Sequence, residues 1–192
     1  MKLLLASSNP GKLREYLDLA RGTNVEIELL PNFSGFPTFE ESAPTFAENA
    51  AGKALHYSRF AGEMVLADDS GLVVPALGGA PGVHSARYAG PDANDADRIH
   101  KLLQEMNGKQ GEERCARFVC VIALAVRARP VAVVSDVARG AITKAPRGTG
   151  GFGYDPIFLF GELHRTYAEL TPDQKNVYSH RGRAFGRLLY FI

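Results

Sequence analysis

Two adjacent carboxylates follow a short apolar stretch of the chain. Residues 64–67 are typical of a buried strand, and Asp68-Asp69-Ser70 comes directly after them. Paired carboxylates at the carboxyl end of a strand repel each other unless a cation or a proton compensates. Mg²⁺ suits that role because it prefers one or two carboxylates together with substrate phosphates. The pair indicates a magnesium site or, alternatively, a turn in which one aspartate caps the next element and the other faces water.

A second candidate site lies near the start of the chain. Ser7-Ser8-Asn9-Pro10-Gly11-Lys12 follows an apolar run at residues 3–6, which predicts a strand, a turn and a helix capped by Asn9. A helix amino terminus offers unpaired N–H groups and the positive end of a dipole, to which two hydroxyls and an ammonium are added here. The turn therefore favours phosphate, although an ordinary capped helix with a surface lysine has the same pattern.

Two later stretches carry groups that suit a base and a sugar. Gly148-Thr149-Gly150-Gly151-Phe152-Gly153-Tyr154-Asp155 is a glycine-rich loop, whose backbone can approach a ligand closely and whose rings can stack on a base. Lys175 and Ser179-His180-Arg181 add several hydrogen-bond donors. A β-turn with a core phenylalanine and a solvated helix are the competing interpretations. Taken with the acidic pair and the phosphate turn, the two stretches describe a nucleoside-triphosphate site.

Caps and periodic apolar residues predict three further helical segments. Thr45 and Glu48 form a capping box, and Asp95 opens a helix that Gly108 closes. Thr171 begins a last helical region with a break near Ser179. The stripe that follows the capping box is expected to be buried mainly through Phe46, Ala50, Ala54 and Tyr57.

The strand pattern predicts a mixed sheet. Residues 116–126 and 131–142 favour a hairpin of two long strands joined around Arg129-Pro130, and residues 157–160 favour a short strand. Residues 31–44 have no clear period and three prolines, so we expect irregular structure there. Because strands and helices alternate early and a hairpin follows, we expect an α/β fold with helices packed against the sheet.

The composition is that of an ordinary globular chain without a strong charge. Hydrophobic residues make up 45% and charged residues 22% of the 192 residues, and the formal net charge is +1. So small a charge argues against long nucleic acid as a partner. No segment approaches the roughly 18 apolar residues that span a bilayer. Cys115 and Cys120 should point to opposite faces of a strand, so we interpret both as small core residues in a reducing, cytoplasmic setting.

The order of these motifs resembles the inosine triphosphate pyrophosphatase family, the bacterial XTP/dITP diphosphatases in particular, over nearly the whole chain. Ser8 departs from the pattern, since many relatives carry glycine there. The matching stretches are residues 6–12, Thr45-Phe46-Ala47-Glu48-Asn49-Ala50, residues 66–72, 78–82, 85–88 and 148–156, and Ser179-His180-Arg181-Gly182.

The resemblance implies a fold, an activity and an assembly. The fold would be one domain over residues 1–192, with an elongated central mixed β-sheet flanked by helices and an active-site cleft between two lobes. The activity would be Mg²⁺-dependent cleavage of the α–β phosphoanhydride of ITP, dITP and XTP, giving the nucleoside monophosphate and pyrophosphate. Such an enzyme keeps these non-standard purine nucleotides out of DNA and RNA. The resemblance also implies a homodimer.

The resemblance further assigns roles to residues. Residues 7–12 would hold the triphosphate, and Asp69 would be the general base or the metal-linked activator of water. Glu41 and Asp68 would carry Mg²⁺ together with Asp69, and Phe152 would stack on the base. The other implied substrate contacts are Ser70, Gly153, Tyr154, Asp155, Lys175, His180 and Arg181.

The same residue types account for discrimination against adenine, whereas rejection of guanine, which also carries the six-oxygen, needs another cause such as exclusion of its two-amino group. Hypoxanthine and xanthine present an oxygen at position six, which donors from His180-Arg181 could satisfy, whereas adenine presents an amino group there. A mismatched buried polar group costs about 1–3 kcal/mol. Two other functions stay open: a pyrophosphatase for modified pyrimidine nucleotides, and a non-catalytic sensor that binds triphosphates without needing Asp69.

Overall fold

A computed structural model describes the whole chain, residues 1–192, as an α/β fold with one seven-stranded sheet. The strands are β1 (Lys2–Leu5), β2 (Glu26–Leu29), β3 (Met64–Val73), β4 (Cys115–Val126), β5 (Arg129–Ile142), β6 (Phe158–Phe160) and β7 (Arg165–Thr166). The helices are α1 (Pro10–Ala20), α2 (Phe46–Tyr57), α3 (Asp95–Glu105), α4 (Pro172–Tyr178) and α5 (His180–Phe191). None of these helices is long and apolar enough to cross a membrane.

The sheet is mixed, as the sequence predicts. Its strand order is β2-β1-β3-β4-β5-β6-β7. β1 runs parallel to both β2 and β3, whereas β6 pairs antiparallel with β5 and with β7. The parallel part follows from the strand–helix–strand order at the start of the chain, and the antiparallel part from the later hairpins.

The long hairpin turns two residues earlier than the sequence indicates. Arg127 and Ala128 form the connection between β4 and β5, with φ angles of 48° and 57°. A two-residue turn that matches the twist of its strands needs positive φ at both central positions. Proline is locked near φ −65°, so Arg129-Pro130 cannot form that turn and instead begins β5.

The chain divides into two compact units. Unit 1 comprises Met1–Asp69, Cys120–Asp136 and Arg181–Ile192. Its core includes Leu3, Tyr16, Leu66, Ile122 and Phe185, all fully or almost fully buried.

Unit 2 comprises Ser70–Val119 and Val137–His180. Its core is rich in aromatic rings, in contrast to the mainly aliphatic core of unit 1. The buried aromatic residues of this core are Phe118, Tyr154, Phe158, Phe160 and Tyr167.

The largest difference from the sequence-based expectation concerns the acidic pair. β3 continues through Asp68 and Asp69 to Val73, so the two carboxylates lie inside a strand and not at its carboxyl end. Both are buried, with relative exposures of 0% and 5%. Successive side chains of a strand point to opposite faces, so the two carboxylates have different surroundings.

Smaller differences concern individual residues. Phe46 is only half-buried on α2, where Asn49 and Lys53 are buried instead. Cys115 is exposed, so only Cys120 is a core residue as expected, and neither forms a disulfide. The short strands β2 and β7 were not expected.

Candidate functional site

The turn before α1 has the predicted form. Asn9 is the N-cap, and its Oδ1 accepts the N–H groups of Gly11 at 2.8 Å and Lys12 at 3.1 Å. Pro10 has no N–H, and the N–H of Leu13 bonds the Asn9 carbonyl at 3.1 Å. The expectation of unpaired N–H groups at this helix end is therefore wrong, because Asn9 caps them. A phosphate would have to displace the Asn9 side chain to reach these donors.

Lys12 does not extend into solvent but joins a buried ionic network in unit 1. Its Nζ lies 2.9 Å from Asp68 Oδ1, and the Nη2 of Arg181 lies 3.2 Å from Asp68 Oδ2. Glu15, one turn along α1 from Lys12, forms an ion pair with the Nη1 of Arg181. Arg181 is only 2% exposed, and its guanidinium pairs with both carboxylates.

Asp69 has a neutral partner where Asp68 has two cations. The Nδ2 of Asn49 donates to Asp69 Oδ2 at 3.0 Å. The same amide bonds both backbone groups of Ala43, accepting its N–H at 3.0 Å and donating to its carbonyl at 3.2 Å. Asn49 thus ties the segment that follows Glu41 to the carboxylate of Asp69.

The surroundings shift the two adjacent carboxylates in opposite directions. Although burial alone would raise it, Lys12 and Arg181 hold the pKa of Asp68 far below its usual range. Burial raises the pKa of Asp69 to about 6, and Glu41 adds to the shift, while Lys12, Asn49 and Lys53 oppose it. Asp69 is therefore the carboxylate of the pair that approaches the basicity of a general base near neutral pH.

Glu41 is held by a second lysine. Lys53, which is buried on α2, forms an ion pair with the Glu41 carboxylate. Burial lowers the pKa of Lys53, but Glu41 together with Asp68 and Asp69 outweighs burial, so that the pKa is raised overall. This lysine was not expected to contribute to the site, although its spacing of four residues from Asn49 on a capped helix places both on one face.

The acidic residues fit a divalent cation that takes most of its ligands from elsewhere. No group of three or more His, Cys, Asp or Glu side chains surrounds a common point. Glu41 and Asp69 repel each other electrostatically, and a bound cation would relieve that repulsion. Two carboxylates with water and phosphate oxygens are a usual Mg²⁺ site. Asp68 could join them only if Lys12 left its carboxylate.

The glycine-rich loop of unit 2 is tightly packed. A Cβ on Gly151, whose φ is +72°, would lie 2.0 Å from Asp155 Oδ2, and a Cβ on Gly148 would lie 2.4 Å from the Ala168 backbone. Asp155 is 2% exposed and accepts the Phe152 N–H at 2.8 Å. Gly151 is therefore required by packing within the loop, and Gly148 by packing of the loop against Ala168.

Lys175 lies against this loop. It forms an ion pair with Asp155, and its Nζ is 5.0 Å from the centre of the Phe152 ring and 5.8 Å from that of Tyr167. An ammonium over an aromatic face is attracted by the ring quadrupole. Lys175 thus supports one face of the Phe152 ring.

His180 lies in a stack of rings. Its imidazole is 4.6 Å from the Phe118 ring at an interplanar angle of 8°, and 6.4 Å from Tyr167 at 9°. His180 is 4% exposed, so these rings fix its plane. Phe118 gave no signal in the sequence beyond a place in a predicted strand.

The structure thus brings the predicted residues together in two groups. One group, in unit 1, holds the phosphate turn, the acidic residues and Arg181. The other, in unit 2, contains Phe152, Gly153, Tyr154, Asp155, Lys175 and His180, with Ser70 following Asp69 along β3. Residues that the sequence did not identify as part of the site are Glu15, Asn49, Lys53 and Phe118.

Comparison with known proteins gives the family. The profile of the Ham1 family matches residues 3–191. The dITP/XTP pyrophosphatase of Geobacillus kaustophilus is 51% identical over 187 residues, covering 97% of this chain and 92% of that protein. That of Gloeobacter violaceus is 50% identical over 189 residues, covering 97% and 92%.

Solved structures agree with this. A HAM1 protein from Coxiella burnetii matches with a TM-score of 0.87 and 44% identity, covering 99% of this chain and 97% of that one. The Staphylococcus aureus Ham1 protein matches with a TM-score of 0.86 and 36% identity, covering 100% and 97%. With agreement in motifs, in sequence and in fold over nearly its full length, the chain belongs to the Ham1 family.

Proposed function

We propose that this protein hydrolyses ITP, dITP and XTP to the nucleoside monophosphate and pyrophosphate, so that these non-standard purines are not incorporated into DNA and RNA. The observation that carries the proposal is the acidic group of unit 1. Asp69 is held by Asn49 and feels the charges of Lys12, Lys53 and Glu41. Relatives that share about half of their residues with this chain are named dITP/XTP pyrophosphatases.

Charge neutralisation is the first requirement of this reaction. A triphosphate repels an incoming oxygen nucleophile, so cations must offset its charge before water can attack. Lys12 is the cation best placed to contact phosphate, with the hydroxyls of Ser7 and Ser8 beside it in the same turn. Its transfer from Asp68 to a phosphate would leave the Asp68 carboxylate with Arg181.

Activation of water is assigned to Asp69. Its carboxylate can orient a water molecule and take up its proton, and the Asn49 amide keeps it in one orientation. Mg²⁺, held by Glu41 and Asp69 and by Asp68 once Lys12 has moved, would supply electrostatic stabilisation to the phosphate oxygens. Lys53 holds the Glu41 carboxylate in place for that purpose.

Recognition of the base is assigned to unit 2. Phe152 offers a ring for stacking, with Gly153, Tyr154 and Asp155 shaping the loop around it. His180 and Lys175 are the donors proposed for the base, and Ser70 contributes a hydroxyl. Arg181 acts through Asp68 in this arrangement. The residue is only 2% exposed, so any contact with the six-oxygen would come from the small part of it that reaches the surface.

We further propose that residues 1–192 act as a single catalytic domain, that the protein is a homodimer, and that it works in the cytoplasm. The match of the family profile to residues 3–191 supports a single functional domain. The free cysteines, one exposed and one buried, suit a reducing compartment.

The deciding experiment is a steady-state assay with ITP, dITP, XTP, ATP, GTP and dUTP, with and without Mg²⁺, that quantifies pyrophosphate and orthophosphate separately. Mg²⁺-dependent pyrophosphate release that favours the inosine and xanthine nucleotides is expected. Release of orthophosphate would exclude cleavage at the α–β bond, and faster turnover of dUTP would point to pyrimidine substrates.

The Asp69→Asn variant tests the catalytic assignment. Turnover should fall at least 100-fold, because the amide cannot accept the proton of water. Glu63→Gln, which changes an exposed carboxylate just before β3, is the matched control and should behave as wild type. Unchanged turnover in Asp69→Asn would refute the role of Asp69, and tight ITP binding by a wild-type protein without turnover would indicate a sensor.

A further inference from the structure

The glycine-rich loop, residues 148–155, is anchored by a carboxylate from outside it. Asp95 is the first residue of α3, and its Oδ2 accepts the backbone N–H of Gly153 at 2.7 Å. Its other carboxylate oxygen forms an ion pair with Arg98, one turn further along the helix. Neither residue belongs to the site described above.

Arg98 fixes this carboxylate in place. Its Nη1 donates to the carbonyl oxygen of Ala86 at 2.9 Å and also to that of Ala93. Three acceptors thus surround the guanidinium of Arg98, whose side chain is only 16% exposed. Because two backbone carbonyls hold Arg98, the Asp95 carboxylate that pairs with it cannot turn away from Gly153 without losing a charged partner.

The hydrogen bond donated by Gly153 is the second of two that fix the backbone at Phe152. The N–H of Phe152 bonds Asp155, which fixes the peptide plane before Phe152, and the N–H of Gly153 bonds Asp95, which fixes the plane after it. With both flanking planes set, φ and ψ of Phe152 are set as well. The direction in which its ring leaves the backbone follows from them.

Asp95 is not needed to cap its own helix. Asn94 is the N-cap of α3, and Asp97 completes the capping box by accepting the Asn94 N–H at 2.9 Å. Asp97 is exposed, and its hydrogen bonds are with Asn94 at the start of the same helix. Asp95 and Asp97 therefore lie in the same helical turn but bond different groups. A substitution of Asp97 is thus a matched control for the same substitution of Asp95.

We propose that Asp95 is a positioning residue for base recognition, which holds the Phe152 ring in the orientation that stacks on the purine. The inference rests on the proposed function, since it takes Phe152 as the stacking residue. It adds a specificity determinant from α3, with Arg98 as its support.

The experiment measures binding of inosine monophosphate and of pyrophosphate by calorimetry to the full-length protein and to Asp95→Ala, Asp95→Asn and Asp97→Ala. Asp95→Ala should weaken inosine monophosphate about tenfold, the effect of one hydrogen bond to a charged acceptor, and leave pyrophosphate affinity unchanged. Asp95→Asn should stay within about threefold of wild type, because its amide oxygen still accepts the Gly153 N–H. Asp97→Ala should lower the melting temperature but bind both ligands normally.

Equal affinities of Asp95→Ala and Asp97→Ala for inosine monophosphate would overturn the inference. So would a parallel loss of both ligands in Asp95→Ala, since that indicates general damage to the fold. Turnover of ITP by the wild-type preparation is measured alongside. Its absence would refute the proposed function, whereas the affinity for the monophosphate tests the loop independently of turnover.

Discussion

The same substitution at two adjacent positions, Asp68→Asn and Asp69→Asn, should change stability in opposite directions. In Asp68→Asn, the guanidinium of Arg181 and the ammonium of Lys12 lose the carboxylate that they share. Asp68 is 0% exposed, so this loss occurs in a fully buried site. In Asp69→Asn, a carboxylate that burial disfavours in its charged form becomes neutral, and its oxygen can still accept the Asn49 amide.

The magnitudes follow from the surroundings. Removing one partner of a buried ion pair costs about 3–5 kcal/mol. For Asp69, the pKa moves from its ordinary 3.8 to about 6, a difference worth at most about 3 kcal/mol. For a chain of this size 1 kcal/mol changes the melting temperature by about 2–4 °C. Asp68→Asn should therefore melt about 6–20 °C lower than wild type, and Asp69→Asn several degrees higher.

The pH dependence of the two stability changes tests whether the charges of the two carboxylates cause them. Because the pKa of Asp69 is higher in the folded than in the unfolded protein, its protonation stabilises the fold, fully below about pH 4 and no longer above about pH 6. The gain in Asp69→Asn should thus be complete at pH 7.5 and vanish near pH 4. The pKa of Asp68 is shifted downward, so the loss in Asp68→Asn should be complete at pH 7.5 and shrink as the solution is acidified below pH 4.

The assay is thermal unfolding followed by circular dichroism in buffer with EDTA, at a series of pH values, with Glu63→Gln as the control. EDTA keeps divalent cations from compensating the acidic residues. If Asp69→Asn is destabilised at pH 7.5, or if its gain is the same at pH 4, the opposition between the two carboxylates is refuted.

Three further predictions concern the phosphate turn, the loop and the hairpin. Lys12→Ala should weaken pyrophosphate at least tenfold and inosine by less than about twofold, measured by calorimetry, and equal losses would show that Lys12 is not a phosphate contact. Gly151→Ala should destabilise the protein by about 1–3 kcal/mol in urea unfolding, because the φ of Gly151 is +72° and an added Cβ would lie 2.0 Å from Asp155 Oδ2. Gly161→Ala is the control and should be near neutral, since Gly161 has open space around it. Replacing Arg127-Ala128 by Asn-Gly should raise stability by about 1 kcal/mol in the same assay, since both positions have positive φ, and no gain would argue against strain in the turn.

Most of the elements follow from local sequence signals. The cap at Asn9, the capped helix after Thr45 and the break at Ser179 are all short-range patterns, and the structure contains each of them. The position of the hairpin turn could also have been found locally, since Pro130 excludes itself from a turn that needs positive φ.

The acidic pair could not be placed by the same means. Aspartate is uncommon inside strands, and the partners that compensate this pair within β3 come from distant parts of the chain. Lys12 is 56 residues from Asp68, and Arg181 is 113 residues away. Such long-range compensation leaves no periodic signal, and the same holds for Asn49, Phe118 and Asp95, whose importance lies in what they touch.

The Asn9 cap has a consequence for the catalytic cycle. Any phosphate that takes the N–H groups of Gly11 and Lys12 must displace a side chain that already satisfies them, at a cost of about 0.5–2 kcal/mol. If this turn holds the phosphates as proposed, triphosphate and pyrophosphate bear the same cost, so the turn would bind both less tightly than a bare helix end. The helix would recap itself as pyrophosphate leaves, which lowers the affinity for this product without changing its affinity relative to that of the triphosphate.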